Sequence, residues 1–274
     1  MAEKDHYRWY VTLNVVKNEL GLSGTGHDAM LQRFIARATA IFERATDRIF
    51  IPETRTRYFD FQRAARLVLG YDLLSVTTLS DDEGEVDSGD YFLYSGYDDL
   101  NTPPYNAIEL LGTDDLLYYT DTKQKAITIV GEWGYCNDYE NTGLTLAAAI
   151  TSITATTLTA ATKTLEVGWS LLIGDEQMFV SAITTGETND TATVRRGQGG
   201  TEAATHLLAA KIYRYVVPYD VEDAVSEIAR LRYELREAMG VSSEKLVDYA
   251  VTFQGEQVTK NALATIRRYQ RLVY

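Results

Sequence analysis

The spacing of apolar residues changes twice along this chain, and these changes constrain the fold more than any other feature. Between residues 12 and 47, and again from residue 218 onward, apolar residues recur every three or four positions, as on one face of a helix. Between residues 54 and 216, short runs rich in β-branched and aromatic residues alternate with Gly, Asn and Asp clusters, which is typical of strands and turns. This order predicts helices, then a long strand-rich region, then helices again.

Two long helices are predicted from their end signals as well as from their spacing. Asp28 is a good N-cap for a helix that ends near Asp47. Pro218 suits the first turn of another helix, which has acidic residues at its start and arginines toward its end, as the helix dipole favours, and Gly240 closes it. Shorter helices are predicted from Thr12 to Gly21 and from about Thr259 onward.

The strand-rich region is predicted to contain two parts. Six runs between residues 55 and 133 form a β region that follows the first helices. Residues 142–165, rich in Thr and Ala, are either a flexible linker or strands, and Ile153 and Leu158 among β-branched threonines favour strands. We therefore expect a small all-β domain, either a barrel or a sandwich, at residues 142–215.

These elements predict an α+β fold with two domains. A discontinuous helical domain with the β region would occupy residues 1–141 and 216–274, and the all-β domain would be inserted at residues 142–215. An insertion at an exposed loop leaves the surrounding core intact, because the chain leaves and re-enters the domain at the surface. The last helices would then complete the core that the first two helices begin.

Charge and hydropathy exclude several classes of function. The chain has 26 basic and 39 acidic residues, a net charge of −13, whereas a sequence-independent DNA-binding protein is basic. A channel lined by negative charge would instead let DNA slide without holding it. No run approaches the roughly 20 apolar residues of a membrane helix, and MAEKDHYRWY lacks the apolar stretch of a signal peptide, so a cytoplasmic protein without a membrane partner is expected.

Side chains that often carry chemistry are few and scattered. Cys136 is the single cysteine, so no internal disulfide is expected, and this thiol is either a nucleophile or, as we favour, a small residue that is at least partly buried. The histidines His6, His27 and His206 lack the spacing of metal ligands. No G-x-S-x-G motif occurs, and the carboxylates show no spacing that indicates a glycosidase pair. We expect no catalytic residue, no cofactor site and no metal site.

Two segments resemble ligand-binding loops but favour simpler interpretations. The acidic residues from Asp81 to Asp90 lack the alternating ligands of an EF-hand, so a solvated hairpin tip is favoured over a calcium site. The Gly-rich run from Arg195 to Thr201 follows a strand, as a phosphate-binding loop does. It lacks the Lys followed by Ser or Thr of the P-loop, so a hairpin or loop is favoured.

Tyrosines and arginines are candidates for an interface. The 19 tyrosines serve a protein or carbohydrate interface, or belong to the strands and the core. Arg267, Arg268 and Arg271 lie near the end of the last helix, where they contact nucleic acid or, as we favour in an acidic protein, complement the helix dipole or pair with a neighbouring subunit.

Several segments occur in a characteristic order. They are the opening TLNVVKNELGL and LQRFIARATAIFERATDRIFIPETRTRYF, the strand ITIVGEWGY, the helix VPYDVEDAVSEIARLRYELREAMG, and the C-terminal part from LVDYAVTFQGE to IRRYQRLVY. In this order they resemble the head-to-tail connector (adaptor) family of long-tailed bacteriophages. The segment from VGWSLLIGDEQMFVSAI to LLAAKIY is similar to small β modules of phage tail and baseplate proteins, and short members of the connector family lack it.

That resemblance implies a structural role with defined partners. Subunits with a helical connector core would form a ring, expected to be dodecameric, under the portal protein. The ring would extend the DNA channel without binding DNA specifically, and would present a surface to the tail or to a second connector (stopper) protein. The resemblance implies a non-enzymatic virion protein of the neck, made in the host cytoplasm. Lateral contacts in such a ring are heterologous, one face binding a different face of the neighbour.

The C-terminal arm and last helix contain the predicted contacts with the portal or a neighbouring subunit. These residues are Tyr249, Phe253, Arg267, Arg268, Tyr269, Arg271 and Tyr274. Two alternatives stay open. One is another tail, baseplate or receptor-binding virion protein, which the β insert favours. The other is an enzyme such as a depolymerase, for which no catalytic pattern is found.

Overall fold

The structure is a computed structural model that describes residues 7–62, 66–95, 101–111, 117, 119–238, 250–253 and 256–271. The helices are α1 (Leu13–Glu19), α2 (Asp28–Thr46), α3 (Tyr219–Ala238) and α4 (Lys260–Tyr269). The strands of the first half are β1 (Glu53–Phe59), β2 (Arg66–Ser80), β3 (Tyr91–Tyr94), β4 (Tyr105–Leu110) and β5 (Ile127–Trp133). Those of the second half are β6 (Tyr139–Thr145), β7 (Thr157–Ala160), β8 (Ser170–Ile173), β9 (Glu176–Thr185), β10 (Asp190–Gln198), β11 (Lys211–Tyr215), β12 (Ala250–Phe253) and β13 (Glu256–Thr259).

The predicted α+β fold with a helical connector core is wrong, because strands dominate the structure. Strands account for 37% of the described residues and helices for 23%, and the main sheets are antiparallel, with five and six strands. The helix signals are local, so they indicate where helices form but not what share of the core those helices supply. In this chain the two sheets have apolar cores of their own.

The chain divides into two compact units. The helix–barrel unit contains the described residues of Met1–Asp47 and Asp138–Leu272, and the sheet unit contains those of Arg48–Asn137. The four helices among the described residues all belong to the helix–barrel unit. The predicted insertion of residues 142–215 between 1–141 and 216–274 is not decided by this division and stays a prediction.

The sheet unit is a five-stranded antiparallel sheet with the order β1-β5-β2-β4-β3. Its long strand β2 pairs with β4 in its first half and with β5 in its second half, and Leu73 is paired with both Tyr105 and Trp133. Gly131 permits this crossing, because a Cβ atom at that position would overlap the carbonyl oxygen of Ser75. One face of the sheet buries an apolar core that includes Leu67, Leu69, Leu79, Ile108, Ile127 and Ile129.

The six-stranded sheet, with the order β6-β11-β8-β9-β10-β7, closes into a small barrel. Its edge strands meet because the N–H of Ala147 donates to the carbonyl of Thr159 at 2.8 Å and the N–H of Ala161 donates to that of Thr145 at 2.9 Å. The Thr- and Ala-rich segment therefore contains strand residues, and closure removes the exposed sheet edges. The barrel interior is apolar and includes Leu144, Leu146, Leu158, Leu171, Ile173, Met178, Val180, Val194 and Ile212.

The helices before and after the strand-rich region pack together. Helix α3 contacts α1, α2 and α4, and its buried residues include Val221, Val225 and Ile228. The hydroxyl of Ser226 donates to Glu19, which joins α3 to α1. The side chain of Thr259 caps α4 by accepting from the N–H of Ala262 at 3.0 Å. The first and last helices thus share one core.

An N-terminal strap, residues 7–12, connects the barrel to these helices. The indole of Trp9 is buried and meets the ring of Phe179 on β9 edge-to-face, with 5.1 Å between the ring centroids. The hydroxyl of Tyr10 donates to Glu43 on α2 at 2.5 Å. Gly168 lies directly under the Trp9 ring, so the strap requires a residue without a side chain there.

We expect Gly168→Ala to lower the free energy of unfolding of the helix–barrel unit by on the order of 3 kcal/mol. The backbone has φ +105°, and a Cβ atom would lie 2.6 Å from Cε3 of Trp9. Gly143→Ala is the matched control, since Gly143 has φ +73° but no atom within 4 Å of the added Cβ. The control should lose only about 1 kcal/mol of backbone strain. Urea unfolding followed by tryptophan fluorescence measures both, and equal losses would contradict the strap packing.

Candidate interaction surfaces

The sheet unit exposes apolar side chains on the outer face of its sheet. Val68 on β2 and Tyr94 on β3 lie on either side of Ala107 on β4, with which both are in register. Their exposed fractions are 58% and 37%, and Phe92, on the same face as Tyr94, is 48% exposed. The solvated face of an antiparallel sheet normally carries polar residues. We call Val68, Phe92 and Tyr94 the open face, and apolar side chains exposed across neighbouring strands are typical of a contact surface.

A neutral ion pair crosses the open face. Arg66 and Glu109 are cross-strand neighbours that form a salt bridge, and Glu109 is in register with Phe92. The Arg66 guanidinium lies 4.3 Å from the centroid of the Tyr94 ring. Because the two charges cancel and the guanidinium packs on an aromatic ring, the pair adds little net charge to this surface. Leu111, which directly follows β4, adds another apolar side chain that is 50% exposed.

Three of the predicted interface residues hold α4 in place within the chain. Arg268 pairs with Asp220 at 2.7 Å, and the hydroxyl of Tyr269 donates to the same carboxylate at 2.9 Å. Arg271 lies 3.6 Å from Asp47, and its side chain is only 11% exposed. These contacts connect the end of α4 to the start of α3 and to the end of α2. Their predicted role in binding the portal or a neighbouring subunit stays a prediction.

The other predicted interface residues are placed differently. Arg267 is exposed on α4. Phe253 is the last residue of β12, where its backbone is paired with that of Glu256. Tyr249 and Tyr274 lie outside the described residues. Among the described members of this set, Arg268, Tyr269 and Arg271 therefore make contacts within the chain, and Arg267 is exposed.

The Gly-rich run from Arg195 to Thr201 does hold an anion, but the anion is a side chain of this chain. The carboxylate of Glu176, at the start of β9, is buried and accepts two hydrogen bonds of 2.6 Å from Arg196. The N–H groups of Gly197 and Ala204 donate to it at 3.0 Å each. Nε2 of His206 lies 2.8 Å from the same carboxylate. The loop therefore completes a structural carboxylate network rather than an open phosphate site.

Burial and hydrogen bonding act on Glu176 in opposite directions. Burial raises the pKa of its carboxyl group, but the hydrogen bonds from Arg196, the neighbouring N–H groups and His206 together lower the pKa to below its ordinary value. The network thus keeps the carboxylate ionised and fully bonded, which suits a structural role. Sequence reasoning missed Glu176 because it follows the Gly174-Asp175 turn, where charged side chains normally face water.

The acidic loop at Asp81–Asp90 has the contacts of a turn. The side chain of Asp81 accepts from the N–H groups of Glu83 and Gly84 at 2.8 and 3.2 Å, and that of Asp82 accepts from the N–H of Thr120 at 2.7 Å. Carboxylates that bond to nearby backbone in this way stabilise turns. Over the described part of the chain, no group of His, Cys, Asp and Glu is arranged to hold a metal ion.

Two further features of the sequence are the single cysteine and the apolar character of the helices. Cys136 is half-buried, and its thiol donates to the carbonyl of Phe50 at 3.3 Å. Among the helices that the structure describes, none combines the length and the apolar composition needed to cross a membrane.

We expect Glu176→Gln to lower the free energy of unfolding of the helix–barrel unit by about 3 kcal/mol, because it leaves the buried Arg196 without its counter-charge. Glu140→Gln is the matched control. Glu140 pairs with Arg214 at the surface, where it is 51% exposed, so its loss should cost less than about 1 kcal/mol. Denaturant unfolding measures both variants, and similar losses would contradict a buried network.

The lowered pKa of Glu176 also predicts a pH dependence of stability. A carboxylate whose pKa is lower in the folded state stabilises fully above its unfolded pKa, and this stabilisation is lost as the pH falls through the folded pKa. The wild-type chain should therefore lose stability below the ordinary glutamate range, and Glu176→Gln should lose less over the same interval. Parallel pH profiles for the two chains would show that Glu176 is not responsible.

We expect Arg271→Ala to lower the free energy of unfolding by about 1 to 2 kcal/mol, because this side chain is nearly buried and packs at the junction of α4 and α2. The matched control is Arg267→Ala, four positions earlier and exposed, for which the loss should stay below about 0.5 kcal/mol. Thermal unfolding followed by circular dichroism compares the two. Equal destabilisation would contradict an anchoring role for Arg271.

Comparisons with known proteins leave the family of this chain open. No protein-family model matches the sequence, and no curated protein matches it significantly. The resemblance to the head-to-tail connector family therefore stays a prediction.

Proposed function

We propose that this chain is a structural virion protein, a ring-forming head-to-tail connector subunit. In this proposal the ring docks under the portal, extends the DNA channel and provides the attachment surface for the tail or for a second connector. The observation that carries the proposal is the open face, because a subunit of this kind works through lateral and axial contacts rather than through a pocket. The ordered segments that resemble connector proteins support it.

Charge also supports the proposal. A chain with a net charge of −13 would give a ring whose lumen repels the phosphate backbone, so DNA could pass without being held. Specific base recognition is not needed for this role. The expected partners are therefore the portal, the tail or stopper protein, other copies of the chain, and DNA only in transit. The expected location is the neck of the virion.

In this proposal the chain has a non-enzymatic role. The most elaborate cluster of charged groups is the Glu176 network, and each polar contact there is made within the barrel. An occupied, ionised carboxylate of this kind positions strands and does not transfer protons at neutral pH. We accordingly propose no reaction for this chain.

A tail, baseplate or receptor-binding protein is the second candidate, and an aromatic group on the barrel favours it. Tyr139, which is 50% exposed, meets the rings of Tyr213 and Tyr215 edge-to-face, with centroids 5.6 and 6.2 Å apart. Rigid tyrosines of this kind suit contacts with protein or carbohydrate. Binding to cell-surface glycan would favour this candidate over the connector.

The test is assembly on the cognate portal ring, imaged by electron microscopy. We expect the chain to form a ring stacked on the portal, and Phe92→Ser with Tyr94→Ser to weaken this assembly at least about tenfold, because the double variant removes the aromatic part of the open face. The matched control is Tyr58→Ser on β1, which removes an aromatic side chain that is 58% exposed in the same sheet. Binding to tail proteins or glycan without portal binding would contradict the connector proposal.

A further inference from the structure

The barrel carries two adjacent leucines on a turn just before β11. Leu207 and Leu208 are 82% and 63% exposed, more than any residue of the open face. Across from them lie Ala148 and Ala149, which are also exposed. The two segments are held together by the bridge between Ile150 and His206 and by the pairing of Leu146 with the residues after Leu208. We call Ala148, Ala149, Leu207 and Leu208 the leucine tip.

The segments that form the leucine tip lack charge. Residues 143–162 and 203–210 contain no Asp, Glu, Lys or Arg, although 24% of the chain is charged. Depletion of charged residues is the compositional mark of the centre of a protein interface. A surface for DNA or for an anionic lipid headgroup would instead carry Lys and Arg. The leucine tip therefore fits a protein partner.

Backbone hydrogen bonds hold the turn in its conformation. The N–H of Ala209 donates to the carbonyl of Leu146 at 2.9 Å, and the N–H of Ala210 donates to that of Leu207 at 3.2 Å. His206, directly before the turn, contacts the buried carboxylate of Glu176. Since the backbone is already ordered, little conformational entropy is lost when the leucines are covered.

The charge of the whole chain indicates which protein covers this tip. Two copies of a chain with net charge −13 repel each other, so they approach most easily where charged side chains are absent on both sides. A partner of opposite charge would gain from contacts with acidic residues and would have no reason to select an uncharged tip. The leucine tip thus suits a second copy of this chain.

We propose that the leucine tip is a contact between copies of this chain, the lateral contact of the ring. The assignment of this contact to a ring rests on the proposed function, whereas the contact between two copies does not depend on it. A projecting apolar knob on one copy, received by a different surface of the next, is a heterologous contact, which is the kind that closes a ring.

The first experiment places a photo-crosslinking residue, p-benzoylphenylalanine, at position 207 of the full chain. The chain is irradiated alone at high concentration and after assembly on the portal ring. We expect a crosslinked product with twice the 30.7 kDa mass of the chain, and mass spectrometry then identifies the receiving surface. If the chain assembles but position 207 forms no crosslink to another copy, or crosslinks only to a different protein, the proposal is overturned.

The second experiment changes the leucines without changing the charge. We expect Leu207→Ser with Leu208→Ser to weaken self-association at least about tenfold in analytical ultracentrifugation, because the apolar contact is lost. Tyr219→Ser is the matched control, since Tyr219 is 86% exposed at the start of α3, outside the segments that form the leucine tip. Equal self-association of the double variant and the wild-type chain would overturn the proposal, as would equal weakening by the control.

The outcomes separate this inference from the proposed function. Crosslinking and self-association of the chain without portal binding would support the leucine tip and contradict the connector. Ring assembly on the portal without a crosslink from position 207 would support the connector and contradict the leucine tip. A chain that stays monomeric both alone and with the portal would contradict both.

Discussion

The packing of Trp9 on the barrel is the contact on which the helix–barrel unit depends most. The ring of Trp9 lies over Gly168 and against Phe179, while its neighbour Tyr10 bonds to Glu43 of α2. A buried aromatic side chain excludes a large apolar area from water, so this single strap anchors the barrel against helices that are distant in sequence.

Local sequence signals predict the positions of the helices well. They do not predict that strands outnumber helices in the fold. Thr12 and Thr259 cap helices by accepting hydrogen bonds from the backbone N–H three residues ahead, and such caps can be predicted from a few neighbouring residues of the sequence. The closure of the barrel depends instead on Ala147 meeting Thr159 after a loop, which leaves no mark on composition or spacing. The predicted fold class is wrong for the same reason, since periodicity locates helices and strands but does not show how much of the apolar core each of them supplies.

For the candidate surfaces too, the sequence predicts what depends on neighbouring residues and does not predict contacts between residues that are distant along the chain. The arginines at the end of α4 are predicted to complement the helix dipole or to pair with a neighbouring subunit, and only the structure shows that Asp220 and Asp47 of the same chain pair with Arg268 and Arg271. The run Tyr91–Tyr94 is apolar on both faces, so sequence alone does not tell which face is covered. Glu176 was missed because burial of a carboxylate requires donors from segments that are distant along the chain.

The division into units has a consequence for the order in which a newly made chain folds. The described residues of the sheet unit all fall within Arg48–Asn137, so this unit can complete its hydrogen bonds soon after residue 137 leaves the ribosome. The strap must wait much longer, because Tyr7 bonds to Gln198, 191 positions later. During translation, the first helices and the strap therefore lack their contacts with the barrel and with α3 until those elements have been made, and chaperones have the most apolar surface to protect during this interval.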